Sequence, residues 1–155
     1  MTRDEFEQQV TSSQGRLYRI ARSYLQSEHD SLDAVSEAIL KAWQKLGTLR
    51  NEQYFNTWMT RILTRECINI MRKQKRMTPV ADVPEQAAPP TENESLRYAL
   101  DALPQKLRIV TVMHYMEGYS VAEVGEILRI PKGTVCSRLH DARLELRGFL
   151  KEDIK

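Results

Sequence analysis

The sequence predicts an all-α fold: two small helical domains joined by a flexible, proline-rich linker, with a helix-turn-helix in the C-terminal domain. Three observations support this prediction. Apolar residues recur at helical spacing along most of the chain, patterns that alternate like a β-strand are not found, and one segment is rich in proline. The 155 residues are 41% hydrophobic, which is enough for one domain of usual size or for two small packed cores.

Three apolar stripes predict the helices of the N-terminal domain, residues 1–76. The stripes run over residues 6–25, 35–46 and 55–71, with apolar side chains spaced mainly three or four positions apart. Gly47 follows the second stripe and is expected to end that helix. Three helices of this kind can enclose a small core of their own.

A segment of different composition, residues 77–94, separates the two domains. It holds four prolines and four acidic residues and has no basic residue. Such a segment neither sustains a helix nor buries much apolar surface, so we expect a flexible linker between residues 1–76 and residues 95–155. Its acidity leaves two roles open, a solvated tether or a segment that lies over a basic groove.

Leucine spacing predicts two helices ahead of the helix-turn-helix. Residues 96–103 form a short apolar stripe that Pro104 stops. Residues 107–116 form the next helix, which Gly118 ends. These two helices would support the elements that follow.

The helix-turn-helix itself is predicted from residues 120–143. Ser120 and Glu123 are spaced as a capping box, which starts the first helix. Pro131 suits the first position of the second helix, roughly residues 131–148. Two helices joined by a short turn, the second one basic, are how many proteins place side chains in the major groove, although an ordinary helical hairpin has the same pattern.

Two residues of this segment are expected to have packing roles, and a third is expected to be strained. Gly125 is small where the two helices must approach closely, and Val135 fills the core between them. Arg129 stands in the turn, where a glycine would adopt a positive φ most easily, so we expect local strain there.

Positive charge is concentrated in two places, although the net charge of the chain is only +2. Residues 61–76 contain six basic side chains and one acidic, and residues 129–147 contain five basic and two acidic. Two separate basic clusters indicate two contacts with a polyanion such as nucleic acid, while solvated charged faces are the alternative.

Composition argues against several other classes of protein. No apolar run reaches the length of a membrane span, and the N-terminus lacks the apolar core of a secretory signal, so we expect a cytoplasmic protein. Cys67 and Cys136 are not in a C-x-x-C pattern, and the three histidines are scattered. We therefore expect no metal site, no cofactor and two thiols that are buried or half-buried.

Three carboxylates share one face of the second predicted helix. Asp30, Asp33 and Glu37 lie at positions i, i+3 and i+7. They can form a metal site, a docking surface for a basic partner or a solvated face. A metal site is the weakest of the three, since no histidine or second acidic helix completes a shell, and charged residues mostly stay solvated.

The order and spacing of three segments resemble the extracytoplasmic-function (ECF) sigma factors of bacterial RNA polymerase. The segments are DSLDAVSEAILKAW (residues 30–43), FNTWMTRILTRECINIMRKQKR (residues 55–76) and the region from ALDALP to HDAR (residues 99–143). The resemblance implies a non-enzymatic specificity subunit that binds core RNA polymerase, recognises promoter DNA through both domains and helps to melt the start site. It also implies a protein inhibitor, an anti-sigma factor that is often membrane-bound, while the chain itself does not insert into the membrane.

By this resemblance, each segment has its own binding partner. The first docks on the clamp helices of the largest polymerase subunit through Asp30, Asp33 and Glu37, while Leu40 and Trp43 are expected in the core. The second binds the −10 element, and its residues suited to phosphates or a base edge are Arg61, Arg65, Asn69, Arg72, Lys73 and Arg76. The third reads the −35 element, and its candidate residues are Lys132, Thr134, Cys136, Ser137, Arg138, His140, Asp141 and Arg143.

At several positions of these segments, the residue type leads to a specific expectation. Cys136 and Asp141 stand where lysine or arginine is common in the family, which lowers the positive charge of the reading face, and Asp141 can accept a hydrogen bond from cytosine N4. Arg65 stands where many members have an asparagine that helps to recognise a flipped base. Phe55 and Trp58 can stack on bases, although we expect core positions for both.

Two other functions remain open from the sequence. A stand-alone helix-turn-helix regulator would bind duplex DNA tightly without polymerase, usually as a dimer. A small hydrolase or nuclease that uses Asp30, Asp33 and Glu37 would need a nucleophile, a histidine partner or a complete metal set, which the sequence does not show.

Overall fold

The computed structural model describes residues 1–77 and 95–153, and every regular element in these ranges is helical, as the sequence predicts. Apart from Met77, the predicted linker lies outside the described residues. The seven α-helices of the described ranges are α1 (Arg3–Leu25), α2 (Glu28–Gln44), α3 (Phe55–Met77), α4 (Ser95–Ala102), α5 (Gln105–Thr111), α6 (Val121–Leu128) and α7 (Lys132–Asp153).

Helices α1, α2 and α3 form a three-helix unit around an apolar core. The side chains of Leu17, Ile20, Phe55 and Leu63 lie at the centre of this core, with no more than 2% of their surface exposed. Helix α1 starts at a capping box in which the hydroxyl of Thr2 accepts from the next turn, and α2 starts at the cap Ser27. Two 3-10 turns, Leu46–Thr48 and Glu52–Tyr54, connect α2 to α3.

The outer face of α2 differs from the sequence prediction. Leu40 is 59% exposed and Trp43 is 45% exposed, so the expectation that both are core residues is wrong. The reason is that α2 packs on its neighbours through small side chains, including Ala34 and Ala38, and Leu40 points the opposite way. Trp43 keeps one contact with the core, since its ring centroid lies 5.4 Å from that of Phe6.

The ends of two predicted helices also differ. Helix α2 ends at Gln44, before Gly47. Helix α5 is shorter than expected and passes into a π-helical turn, Val112–Met116, which ends just before Gly118 with its positive φ of 77°.

The helix-turn-helix, formed by α6 and α7, agrees closely with the sequence prediction. The hydroxyl of Ser120 accepts a hydrogen bond from the Glu123 amide at 3.0 Å, and the Ser120 amide donates to the Glu123 carboxylate at 2.9 Å. Arg129 adopts the left-handed conformation with φ 58°, and Val135 is completely buried. A Cβ atom on Gly125 would lie 2.8 Å from the carbonyl oxygen of Ile130, which explains why the smallest residue stands there.

The two sets of helices pack directly against each other. Helix α1 contacts α5, and helix α3 contacts α6, so that one apolar cluster continues from Leu17 and Leu63 to Val110 and Met113. Because the sequence gives no guide to this arrangement, the interface between the two halves is a finding of the structure alone.

We expect the Gly125→Ala variant to unfold more easily than the wild type. Its new methyl group would collide with the carbonyl oxygen of Ile130, and overpacking of this kind costs about 1–3 kcal/mol. Denaturant unfolding followed by circular dichroism measures the difference. Gly133→Ala is the matched control, because no atom lies within 4 Å of its added Cβ and alanine favours a helix. Equal destabilisation of both variants would contradict the close approach at Gly125.

Candidate nucleic-acid interface

Helix α3 presents a basic surface because its opposite face is buried. Phe55, Met59, Leu63 and Cys67 recur at a spacing of four residues, and all four are buried in the core. This burial turns the predicted −10 residues outward. Arg61 is half-buried, and the exposed members are Arg65, Asn69, Arg72, Lys73 and Arg76.

A groove of about 750 Å³ between α2 and α3 brings together two sets of residues that the sequence treats separately. Its acidic wall is formed by Asp30, Asp33 and Glu37 of α2. Its basic wall belongs to α3 and is formed by Asn69, Arg72, Lys73 and Arg76. The carboxylates of α2 therefore reduce the positive potential of the α3 surface nearby.

Hydrogen bonds tie the two walls of this groove together. The side-chain amide of Gln74 donates to the Asp30 carboxylate at 2.6 Å. Deeper in the groove, Lys41 donates to the carboxylate of Glu66, and this hydrogen bond raises the pKa of Lys41. Of the three predicted docking carboxylates, Asp30 is thus engaged within the domain, while Asp33 and Glu37 are exposed.

A second concave site of about 270 Å³ lies at the start of α3, and the sequence analysis missed it. Tyr54, Trp58 and Arg61 contribute an aromatic and cationic lining, and the turn that contains Thr48 closes the site. The indole nitrogen of Trp58 donates to the hydroxyl of Thr48 at 3.1 Å. An aromatic wall beside a guanidinium suits a planar ring that is attached to a phosphate. The signal in the sequence is the pair of aromatic residues four positions apart, Tyr54 and Trp58.

Core positions are predicted for both Phe55 and Trp58 at the start of α3, and this prediction is confirmed only for Phe55. Phe55 is buried, as expected, with 2% of its surface exposed. Trp58 is half-buried and lines the concave site. Only Trp58 is therefore available to a ligand.

Helix α7 presents the residues predicted to read the −35 element. Val135, Leu139 and Ala142 are buried on its inner face and fix its orientation. Thr134 and Arg138 are half-buried at the edges of its outer face. The remaining predicted residues are exposed, namely Lys132, Cys136, Ser137, His140, Asp141 and Arg143.

One contact fixes the position of Arg143 near this surface. The guanidinium of Arg143 donates to the hydroxyl of Tyr115 at 2.6 Å, which holds the arginine against the neighbouring turn.

Cys136 is exposed, so the expectation of two buried or half-buried thiols is wrong for this residue. Cys67 is buried, and burial raises the pKa of its thiol to about 12.

The outer face of α2 combines apolar and acidic side chains. Leu32 and Leu40 are at least half exposed, and Trp43 lies on the same side of the helix. Asp33 and Glu37 stand between them in sequence and are also exposed. An exposed apolar patch bordered by charge is typical of a protein–protein contact.

Two further features, a metal-binding cluster and a membrane-spanning helix, are absent from the described residues. Over residues 1–77 and 95–153, histidine, cysteine and carboxylate side chains do not gather in a group that could bind a metal ion. Within the same residues, no helix is both long and apolar enough to pass through a lipid bilayer.

Comparison with known protein families matches both halves of the chain. Residues 10–77 match the family model of Sigma-70 region 2, and residues 93–146 match that of Sigma-70, region 4. The chain is 31% identical to the RNA polymerase sigma factor SigV of Bacillus subtilis, over 94% of this chain and 91% of the relative. It is 30% identical to the ECF RNA polymerase sigma factor SigW of the same organism, over 96% and 90%. A match to region 2 distinguishes the chain from a stand-alone helix-turn-helix regulator.

Solved structures match both halves at once. The sigma factor RpoE of Bartonella quintana, in complex with the anti-sigma factor NepR, superposes with a TM-score of 0.79 and 25% identity, over 95% of this chain and 97% of its own. CnrH, in complex with the cytosolic domain of CnrY, superposes with a TM-score of 0.73 and 25% identity, over 98% and 91%. The chain therefore belongs to the ECF sigma factors, the subunits that bind core RNA polymerase and direct it to promoters.

Proposed function

We propose that this sigma factor reads its promoter with two surfaces, one on α3 and one on α7, and that it performs no catalysis of its own. The observation that supports this proposal is that each half of the chain has one basic helix with a buried apolar face and an exposed polar face. Such helices are fixed in orientation, so their side chains are held in place before DNA arrives. Phosphate contacts then set the register, and contacts with base edges set the sequence preference.

Helix α3 binds the −10 element in this proposal. Arg61, Arg65, Arg72, Lys73 and Arg76 neutralise the backbone of the non-template strand. The concave site lined by Tyr54, Trp58 and Arg61 receives one flipped base by stacking, since an extruded base needs a pocket that replaces its stacking partners.

Helix α7 reads the −35 element. Lys132, Arg138 and Arg143 contact phosphates. The half-buried Thr134 and the exposed Cys136, Ser137, His140 and Asp141 face the base edges. A carboxylate in this position repels the backbone and accepts hydrogen bonds only from donor groups. Asp141 therefore selects a cytosine, whose N4 amino group is a donor in the major groove.

The outer face of α2 docks on core RNA polymerase. Asp33 and Glu37 supply negative charge. The exposed Leu40 and Trp43 supply apolar surface, which the carboxylates cannot provide. The structure thus supports a larger docking surface than the three carboxylates predicted from sequence. Asp30, which accepts from Gln74, belongs to the inner edge of that surface.

We further propose that a protein inhibitor controls the chain and that it works in the cytoplasm beside the polymerase. Two similar sigma factors have been solved with anti-sigma factors, NepR and the cytosolic domain of CnrY. Both superpose on this chain over its two halves, so the same kind of partner fits here.

Charge reversal on α2 tests the docking surface. We expect Asp33→Lys to weaken core polymerase binding at least tenfold, which corresponds to about 1.4 kcal/mol, because a like charge is placed against a basic partner surface. Glu7→Lys on α1 is the matched control, because both carboxylates are 62% exposed and each pairs with a residue one turn away. Fluorescence anisotropy of labelled chain against core enzyme measures the affinity. Equal loss in both variants, or none in Asp33→Lys, contradicts the docking surface.

Substitution on α7 tests the reading of the −35 element. In run-off transcription from a pool of promoters, we expect Asp141→Ala to relax the preference at one −35 position by about 1–3 kcal/mol, or roughly 5- to 150-fold. Glu145→Ala removes an equal charge one turn further along the same exposed helix and serves as the control. If both variants change output at all promoters uniformly, Asp141 acts through charge alone and is not a base contact.

A further inference from the structure

One buried carboxylate joins the two halves of the chain. Glu117 follows the π-helical turn of the C-terminal half, and its side chain is only 3% exposed. Arg19 of α1 donates to both of its oxygens, with 3.0 Å between Nη2 and Oε2, and Arg16 approaches the same carboxylate at 3.5 Å. The hydrogen bonds to Glu117 raise the pKa of Arg19. We call Glu117, Arg16 and Arg19 the latch.

Neighbouring contacts hold the same interface. The hydroxyl of Tyr119 lies 2.7 Å from that of Thr60 on α3, and the guanidinium of Arg16 stacks over the Tyr119 ring. On the other side, the buried guanidinium of Arg108 donates to the carbonyl oxygen of Ser23 at 2.7 Å. All of these bonds connect residues that are far apart in sequence, and each is lost if the two halves separate.

The closed arrangement is too short to span a promoter. A compact chain of this length has a radius of gyration of about 15 Å and so measures roughly 40 Å across. Elements centred near positions −35 and −10 are about 25 base pairs apart, which is about 85 Å of duplex at 3.4 Å per step. Because α3 and α6 are in direct contact, one chain in this state cannot reach both elements.

The closed arrangement also places negative charge at the proposed −10 surface. The hydroxyl of Tyr54 donates to the carboxylate of Glu126 at 3.2 Å, and Thr57 lies 3.5 Å from Glu123. Tyr54 and Thr57 line the concave site at the start of α3. Two carboxylates of α6 therefore stand at the edge of the site where a DNA phosphate would approach, and they repel it.

We propose that the latch holds the free chain in an autoinhibited, closed state, and that it must open before both promoter elements can be bound. This inference rests on the proposed promoter contacts of α3 and α7. A buried carboxylate that loses one of its partners is strongly disfavoured, whereas in an open chain it is solvated at no such cost. The latch is therefore sensitive to any partner that engages Arg19, which is half exposed, or that pulls the halves apart.

The two relatives solved with anti-sigma factors match this chain across both halves, so their halves have the same mutual arrangement. In this chain, the latch helps to hold the two halves together without an inhibitor. A bound inhibitor would strengthen this closed arrangement. The free chain is then expected to be mostly closed even when no inhibitor is present. Its apparent affinity for a complete promoter equals the affinity of the open state multiplied by the fraction of molecules that are open.

Distance measurement between the halves tests the latch directly. Cys136 is exposed on α7 and Cys67 is buried, so a single added cysteine, Gln8→Cys on α1, allows a donor and an acceptor dye to be attached. We expect Arg19→Glu and Glu117→Arg each to lower energy transfer, and the double variant with both changes to restore it. Arg3→Glu changes an exposed arginine of the same helix that pairs with Glu7 one turn away, and this control should leave the transfer unchanged.

Function is measured on unlabelled protein, since a dye on Cys136 would obstruct the reading face. We expect Arg19→Glu to bind a promoter fragment with both elements about fivefold more tightly than the wild type. Its affinity for a duplex with the −35 element alone should change by less than about twofold, because the α7 face is exposed in both states. Circular dichroism checks that each variant keeps its helices. If Glu117→Arg does not fold, Arg19→Glu alone decides the result, because Arg19 is half exposed on a surface helix.

The proposed latch is contradicted if a folded Arg19→Glu variant shows the same energy transfer as the wild type. It is also contradicted if the variant opens but does not bind the complete promoter more tightly. Failure of the promoter contacts themselves gives a different result. In that case the wild type with core polymerase starts no promoter-specific transcription, while the energy-transfer arm, which contains no DNA or polymerase, still reports whether the latch exists.

Discussion

The burial of one face of α3 is the interaction on which the rest of the structure depends. Phe55, Met59 and Leu63 are almost completely buried there, and each such side chain contributes about 1.5–3 kcal/mol to folding. Exposed ion pairs contribute about 0–1 kcal/mol, so packing rather than charge decides how the helix is oriented. The same burial directs the basic side chains of α3 outward, opens the groove against α2 and provides the surface on which α6 rests. Charge then decides which partner approaches these surfaces.

Local signals explain why the helix-turn-helix was predictable from sequence. The capping box of Ser120 and Glu123, the tight approach at Gly125 and the left-handed Arg129 all depend on residues a few positions apart. Leu40 was placed wrongly because a leucine among apolar neighbours suggests a core position, whereas the helix packs through small side chains such as Ala38. The contact between Glu117 and Arg19 joins residues 98 positions apart, and no local sequence pattern predicts it. The concave site is local, since residues 48–61 line it, but the spacing of Tyr54 and Trp58 does not predict that the preceding turns fold beside them.

Carboxylates lie beside each of the basic surfaces described above and lower its positive potential. Asp30, Asp33 and Glu37 stand across the groove from α3, Glu126 accepts a hydrogen bond from Tyr54 at the start of α3, and Asp141 lies on the exposed face of α7. A chain with a net charge of only +2 and such internal compensation has little general attraction for DNA. This balance suits a subunit that acts at promoters only after it has joined the polymerase. Binding to core enzyme would then both open the chain and add the affinity that it lacks alone.

We propose that one chain reads two promoter elements through two separate helices once core polymerase is present. Run-off transcription with core enzyme on a library of random promoter sequences, followed by sequencing of the templates that give transcripts, tests it most directly. We expect the active templates to share two sequence blocks whose centres lie about 25 base pairs apart. Active templates that share a single block, or transcription with no shared sequence, would contradict it.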